Sequence, residues 1–502
     1  MNPLKSKDID SIPVHQRPVR FSVACNFDPE LINRISRYPV YEVYGKLPSD
    51  FFGGGRPSFY LPDIDRQEMK NYVAHAHSKG VEFNYLLNSS SMDNVEFTTE
   101  GQRELRKLLD WLDETGVDSI TVSNLFFLRV IKKNYPQFRV RISAHRETDN
   151  ARKVRFWEDN GADCVVISET TIHREMKVLR AMREAVSIDL SLIVNNWCRQ
   201  DCAIASNHAV LLSNASRNKS KNFPLDYCSI YCNAYRLEEP VNYIRANWIR
   251  PEDLHYYTEM GYTNFKIVER NTPTDLLAMR VAAYAAQRYD GNLLDLVQNY
   301  AYPASVFKSK HEKDSFSVKR MLKHFVKPGQ VNLLRFFQIV DYGKKSSMLY
   351  PRQGDNPVYI NNRGLDGFMK RFETMGCEEL DCEACKYCHR WAGKTVHIDP
   401  EWRGEMTEKY DTLLNDLHNG SLWEPYLTTL KRKMFGSNNT TGPVINRNRP
   451  TGGAALPAMD RRKLGNKAVA PVSPTCVTPK PAGAMSVGNN GPSPDNAVAK
   501  TK

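Results

Sequence analysis

The chain has 502 residues, 41% of them hydrophobic and 25% charged, with a formal net charge of +12. That balance fits a globular chain able to bury one large core and a second, small one. No apolar run reaches the roughly 20 residues a membrane-spanning helix needs. The opening MNPLKSKDIDSIPVHQRPVR is polar and has no apolar signal-peptide core, which predicts a cytoplasmic location. Thiols there are kept reduced, so clustered cysteines point to metal or redox chemistry more than to disulfides.

After an N-terminal arm (1–20), the chain repeats a single theme up to about residue 290. Strand candidates FSVACN and VYEVYG begin near residues 21 and 40. VEFNYLL then follows Gly80, VDSITVS follows Gly116, RVRISA begins near 139 and ADCVVIS follows Gly161. SLIVNN near 191 and YTNFKIV after Gly261 complete a set of eight. Each of these glycines suits the left-handed residue that ends a helix before the chain turns into a strand. Between them, EGQRELRKLLDWLDETG sets Leu105, Leu108, Leu109 and Leu112 on one helical face, ready to dock on a sheet. Eight short strands alternating with helices predict an α/β fold with parallel pairing, a (β/α)8 TIM-like barrel over 21–290. A doubly wound sheet is the alternative, although no G-x-G-x-x-G follows the first strand.

The segment after strand seven is longer than its counterparts and reads as a Cys-rich insertion on the catalytic rim of the barrel. Residues 291–434 turn to aromatic-rich, mainly helical sequence and form a Cys-rich C-terminal extension. Residues 435–502 carry nine Lys/Arg against two Asp, a net +7 that leaves +5 for the rest. This tail, rich in Pro, Gly, Asn and Ala, is too poor in large apolar residues to fold alone and is expected to be disordered. Its basicity allows contact with RNA; a solubilising linker is the plainer reading.

Eight of the eleven cysteines fall into two groups. Cys198, Cys202, Cys228 and Cys232 make two C-x3-C pairs. On a helix that spacing places both sulfurs of a pair on one face, and two pairs can surround an iron–sulfur cubane. Structural zinc sites more often use C-x2-C, and the third nearby cysteine of a radical S-adenosylmethionine motif is missing. Cys377, Cys382, Cys385 and Cys388 lie within twelve residues, crowded as in ferredoxin loops, with zinc as the alternative. The C-x-x-C-H from Cys385 to His389 matches a haem-attachment motif but leaves Cys377 and Cys382 unused. Cys25 and Cys164 sit in predicted strands as small buried residues, and Cys476 stands alone in the tail.

Several polar residues fall at strand ends. His145 follows RISA, Glu169 follows VVIS, Asn195 and Asn196 end strand seven, and Lys266 and Arg270 flank strand eight. Arg56 lies in GGGRPS, where glycines let backbone approach a ligand. Arg56, Lys266 and Arg270 suit an anionic ligand, and His145 and Glu169 suit proton transfer. His208 is placed to donate to a cluster sulfur. For each of these, a rim charge or a structural hydrogen bond is the competing role.

LIVNNWCRQDC, YCSIYC, RPEDLHYYTEMGYTNFKIVERN and EVYGKLPSDFFGGGRPSFYLP resemble the U32 family, historically "peptidase U32", over about residues 20–290. That resemblance implies a barrel holding a [4Fe–4S] cluster on Cys198, Cys202, Cys228 and Cys232. It also implies oxygen-independent hydroxylation of a quinone ring or an RNA base, with prephenate associated with oxygen supply. The two C-x3-C pairs depart from the wider, more uneven ligand spacing of those relatives. A second U32-like subunit and an electron donor are implied partners. Residues 377–389 resemble a cysteine-rich extension of some members. The competing functions are a metal- or cysteine-dependent peptidase, without HExxH or G-x-S-x-G in support, and a non-catalytic scaffold that delivers a substrate.

Overall fold

The computed structural model describes residues 12–13, 16–48, 50–58, 61–217, 225–270, 272–297, 357–378 and 381–420. Most of the N-terminal arm, residues 298–356 of the extension, the 435–502 tail and Cys476 lie outside these. The described residues fall within one compact unit, Met1–Asn438.

Eight strands close a parallel barrel: β1 (Arg20–Ala24), β2 (Val40–Gly45), β3 (Glu82–Leu87), β4 (Ser119–Val122), β5 (Arg139–Ile142), β6 (Cys164–Val166), β7 (Asp189–Ile193) and β10 (Asn264–Ile267). Their order around the ring is β1-β10-β7-β6-β5-β4-β3-β2. Ring closure rules out the doubly wound alternative. Helices α1 (Pro29–Ile35), α2 (Arg66–Ser78), α3 (Thr99–Thr115), α4 (Leu125–Asn134), α5 (Ala151–Asp159) and α6 (Met176–Ala185) alternate with the first seven strands.

Local sequence explains these boundaries. The Thr98 side chain caps α3 by accepting from Gly101 N, and Gly116 ends the helix at φ 82°, a conformation that costs a side-chain-bearing residue strain. Gly80, Gly161 and Gly261 adopt positive φ at the equivalent junctions. Leu105, Leu108, Leu109 and Leu112 are all buried against the barrel wall, as their spacing requires. At the start of α2, Asp65 and Glu68 form a reciprocal capping box.

The strands alternate, but with the polar residues turned inward. Phe21, Val23, Val43, Phe83, Ile120 and Val140 join the apolar cluster that also contains the helix side chains. Residues between them fill the barrel interior with hydrogen bonds. Glu42 accepts from Ser22 (2.6 Å), Ser119 (2.9 Å) and Asn84 (3.2 Å), and pairs with Arg141 at 2.7 Å. Thr121 donates to Asn84. Barrel interiors are more often layered with branched apolar residues, so this polar column marks the axis of the molecule.

Past β7 the chain departs from a plain barrel. A second strand, β8 (Asn195–Arg199), follows after one residue and pairs antiparallel with β9 (Ala246–Trp248), forming a ribbon at the mouth. Asn195 and Asn196 therefore open β8 and do not end strand seven. Between β8 and β9 lie α7 (Ala205–Asn214), α8 (Tyr227–Glu238) and α9 (Val241–Ile244), the expected rim insertion. α10 (Leu254–Thr258) leads into β10, and α11 (Thr274–Ala285) and α12 (Leu293–Val297) follow it.

The described part of the extension is not purely helical. It has a small antiparallel pair, β11 (Val358–Ile360) with β12 (Val396–Ile398), besides α13 (Cys382–Cys385), α14 (Tyr387–Thr395) and α15 (Pro400–His418). Arg250 ties it to the barrel, bonded to Asp253, Asp366 and the carbonyl of Asn362. α15 lies along α8, where Leu237, Met406 and Tyr410 share a core. No helix among the described residues is long and apolar enough to cross a membrane.

The Glu42–Arg141 pair generates a prediction. Glu42→Leu leaves a buried guanidinium uncompensated and is expected to cost about 3–5 kcal/mol. Adding Arg141→Met should restore most of that loss in urea denaturation, with strong non-additivity between the two changes. Additive losses would mean the two side chains do not act as a pair.

Candidate active site at the barrel mouth

The polar column ends in a cavity at the C-terminal mouth of the barrel, where this fold places its chemistry. Two connected lobes of about 70 Å³ and 120 Å³ share Arg56, Ala144, His145, Glu169, Val268 and Glu269. The inner lobe is floored by Lys266, Arg270 and Tyr44 and the outer one by Cys198, Cys202 and Cys232. Of the seven polar residues singled out near strand ends, Arg56, His145, Glu169, Lys266 and Arg270 thus meet in one space, Asn196 joins them in the outer lobe, and Asn195 does not line it.

The glycine loop after β2 is folded tightly onto this mouth. Gly54 N donates to Ser216 Oγ (2.7 Å) and Gly55 N to Asn88 Oδ1 (3.1 Å). A Cβ on Gly55 would stand 2.3 Å from His145 Cε1, so only glycine lets the loop pass the imidazole. Arg56, next in the loop, pairs with Glu269 at 3.3 Å. Glu269 itself holds φ 104°, a strained conformation of the kind that persists at functional sites.

The electrostatics are set by burial and by three cations. Burial, with further repulsion from Arg141 and Arg270 against the pull of Glu42, lowers Lys266 to about 8; its ammonium lies 3.8 Å from the Tyr44 ring centroid. Burial and Arg56 lower Arg270 to about 10, and its Nη1 is buried without a hydrogen-bond partner. Burial, with Arg56 and Arg146, drops His145 to about 3, so its imidazole is neutral at physiological pH; Nδ1 faces Ser90 Oγ at 3.4 Å. Burial raises Glu169 above the usual carboxyl range, against the pull of Arg56 and Lys266. The cavity thus joins cationic groups to a neutral imidazole and a carboxyl biased toward its protonated form.

The first four cysteines are all free thiols; Cys198, Cys202 and Cys232 line the outer lobe, and Cys228 is buried behind it. Cys198 lies on β8 and Cys202 in the turn before α7, so this pair is not helical as its spacing suggested. Cys228 and Cys232 do share a face of α8. Each thiol interacts electrostatically with at least two others of the group. Burial holds Cys198 above the ordinary thiol range and pushes Cys228 up to about 11.

Among the described residues, no three His, Cys, Asp or Glu side chains converge as ligands of a single ion. The thiols stand around a space, not around a point. In a four-iron cubane each thiolate takes its own iron, so an all-sulfur set around a cavity fits that group on donor chemistry.

His208 pairs through Nε2 with Asp226 at 3.0 Å. Asn207 is a donor to sulfur, its Nδ2 lying 3.8 Å from Cys228 Sγ. Sequence reasoning also missed Arg236, which lines the cavity and stacks 4.4 Å from the Trp197 ring centroid. Its spacing four residues after Cys232 on one helix was the available signal. Asn88 was missed as well; it bonds both Gly55 and Ser143.

A second feature borders the mouth. Arg146, Arg152, Lys153, Phe156 and Trp157 line an open surface groove of about 350 Å³. Phe156 is 46% exposed, and its ring meets Trp157 edge-on at 5.1 Å. Arg146 Nε is buried without a hydrogen-bond partner, one residue after His145.

Cys25 and Cys164 are fully buried, as their strand positions implied. Cys377, Cys382, Cys385 and Cys388 line a separate small cavity in the extension.

An uncharacterized protease of Methanocaldococcus jannaschii is 25% identical over 369 residues, 73% of this chain and 92% of that one. A tRNA hydroxylation protein of Bacillus subtilis is 25% identical over 132 residues, 26% of this chain and 31% of that protein. The solved structure of a U32 peptidase aligns with 49% of this chain and 91% of its own, at 18% identity and a TM-score of 0.37. Residues 59–294, which hold six of the eight barrel strands and the thiol-bearing rim insertion, match the model of peptidase family U32.

Proposed function

We propose that this protein is an oxygen-independent hydroxylase whose rim thiols, Cys198, Cys202, Cys228 and Cys232, hold a [4Fe–4S] cluster, and whose substrate is a base in RNA. The observation that carries this reading is the placement of three free thiols, Cys198, Cys202 and Cys232, in the lining of a cationic cavity with a neutral imidazole and a protonatable carboxyl, with Cys228 one turn from Cys232 on α8. When bound, the cluster would supply one-electron chemistry at the outer lobe.

The remaining roles fall to side chains. Arg56, Arg270 and Lys266 bind and orient an anionic oxygen donor on the cavity floor. Glu169, biased toward its protonated form, gives or takes a proton, and His145 orients the reacting groups as a neutral hydrogen-bonding ring. Seated over the inner lobe, a substrate base closes it to water.

RNA is favoured over a quinone or a peptide by the groove beside the mouth. An exposed aromatic ring flanked by arginines is a surface on which an unstacked base and its phosphates can lie. The similarity to a tRNA hydroxylation protein supports the same direction. A cysteine peptidase reading is weakened by where the histidines point: His208 to Asp226 and His145 to Ser90, with neither activating a thiol.

Cys198→Ala and Cys228→Ala are each expected to lose about four iron per chain and all activity. The measurement is mass spectrometry of nucleosides from cells with and without the variant, following loss of a species one oxygen heavier than its parent. An identical nucleoside set with and without the protein would sink the hydroxylase reading.

Phe156→Ala is expected to weaken RNA binding by about 1–3 kcal/mol, the worth of one stacked base. Arg152→Glu should weaken it in a salt-dependent manner. Unchanged affinity in both variants would move the substrate away from RNA.

A further inference from the structure

The family match ends at residue 294, and the second thiol group lies wholly beyond it. Cys377, Cys382, Cys385 and Cys388 are free and line one cavity with Arg245 and Arg371. Local structure folds this short segment into a cup. Glu175 accepts from Cys377 N and so fixes the first thiol to the barrel side. Asp381 caps α13 through Glu383 N (3.0 Å) and Ala384 N (3.1 Å). Lys386 then takes a left-handed φ of 52°, so the chain reverses and α14 returns Cys388 to the same cavity.

The surroundings are those of a site for a negatively charged sulfur-ligated group. Arg371 Nη1 donates to Cys385 Sγ at 2.9 Å. Burial raises the Cys377 and Cys388 thiols; Arg174 pulls against it at both, and Arg245 at Cys388. Cys382 is exposed, giving the site an outer edge.

The same arginines join this cup to the mouth. Arg174 bonds the carbonyls of Ile244 (2.7 Å) and Ala246 (2.6 Å), at the start of β9. Gln200 N donates to the carbonyl of Arg245 (2.8 Å), and Arg199 is in register with Ala246. Cys198 precedes Arg199 on the facing strand, and paired strands lie about 4.8 Å apart. One side of the ribbon therefore carries a rim thiol, and the other carries the arginine that lines the second cup.

We infer that Cys377, Cys382, Cys385 and Cys388 hold a second [4Fe–4S] cluster, and that the β8–β9 ribbon couples it electronically to the rim site. An electron leaves an external one-electron carrier of the low-potential ferredoxin or flavodoxin class at the Cys382 edge, oxidising that carrier by one electron. It reduces the second cluster and passes from there to the rim, with no atom transferred. The second site stands on its own residues, whereas the electron path rests on the proposed rim cluster.

The test uses the full chain purified without oxygen. About eight iron and eight sulfide per chain are expected, four of each surviving in Cys385→Ala/Cys388→Ala and four in Cys198→Ala/Cys232→Ala. After dithionite reduction, the electron paramagnetic resonance spectrum should show spin–spin broadening in the intact protein and a simple signal in each double variant. The rim signal of Cys385→Ala/Cys388→Ala should appear at least tenfold more slowly with reduced flavodoxin as donor.

Because cysteine variants can misfold, Arg371→Gln supplies an independent reading. It keeps all eight thiols and removes a hydrogen bond to Cys385 Sγ, so the second cluster's potential should fall while that of the rim stays put. Zinc in place of iron at the second site, or only four iron per chain with all eight thiols present, would overturn the second cluster; a second potential unmoved by Arg371→Gln would overturn the role of Arg371. Uncoupled signals with unchanged rim reduction kinetics would overturn the path while leaving the rim cluster and the hydroxylase reading intact.

Discussion

A single carboxylate in the middle of the barrel, Glu42, governs what the mouth above it can bind. It satisfies Ser22, Asn84 and Ser119 and pairs with Arg141, all in a volume closed to water. One negative charge there compensates one guanidinium. Lys266, the next cation up the column, receives only part of that compensation and is held near 8. Arg270 lies above it with a buried nitrogen unbonded, and Arg56 closes the top against Glu269. Positive charge therefore exceeds negative along the cavity floor. Burial together with the same excess keeps His145 neutral, and the excess pulls against the burial that raises Glu169. A low-dielectric pocket of that sign favours an anionic ligand, because a carboxylate there completes hydrogen bonds that are otherwise missing.

The second organising constraint is the β8–β9 ribbon. It departs from the barrel after β7, where Val194 N still bonds the carbonyl of Lys266 and Val194 O accepts from Ile249 N. The ribbon is thus hydrogen-bonded into the barrel wall at its root, which fixes the position of Cys198 above the mouth. α8 is held from both sides: Arg236 stacks on Trp197 of β8, and Arg403 of α15 bonds the carbonyls of Leu237 and Glu238. The helix that carries Cys228 and Cys232 is thus positioned by the extension as much as by the barrel.

Much of this was legible in the sequence, for definite reasons. Strand positions followed from period-two patterning and from the glycines that end helices, so all eight barrel strands lie where expected. The five strand-end polar residues gather at one mouth because parallel barrels bring every strand's C-terminal end to the same face. The ribbon was not legible: SLIVNN reads as one strand ending at its asparagines, and the partner of the following NNWCR, ANW, lies some fifty residues on. The polar axis was half visible. Glu42 interrupts VYEVYG and Arg141 interrupts RVRI, but only the register across β3 and β4 brings them together. Asn207 and Arg371 were invisible as sulfur donors, since a hydrogen bond to Sγ depends on tertiary placement and not on spacing.

The two thiol groups differ in how the chain builds them, and this bears on how independent they are. The rim group draws on three separate elements, β8, the turn before α7, and α8, so its geometry exists only once the barrel, ribbon and extension have docked. The second group is nearly local, twelve residues turned back on themselves by one capped turn and one left-handed residue. A local cup can assemble early with little loop-closure entropy to overcome, whereas the rim set closes loops of tens of residues. Yet the local cup is anchored to the barrel through Glu175 and Arg174, and Arg174 also buttresses β9. A change that loosens the cup therefore loosens the strand facing Cys198. The structural coupling of the two sites runs through the same residues as the electronic path inferred above.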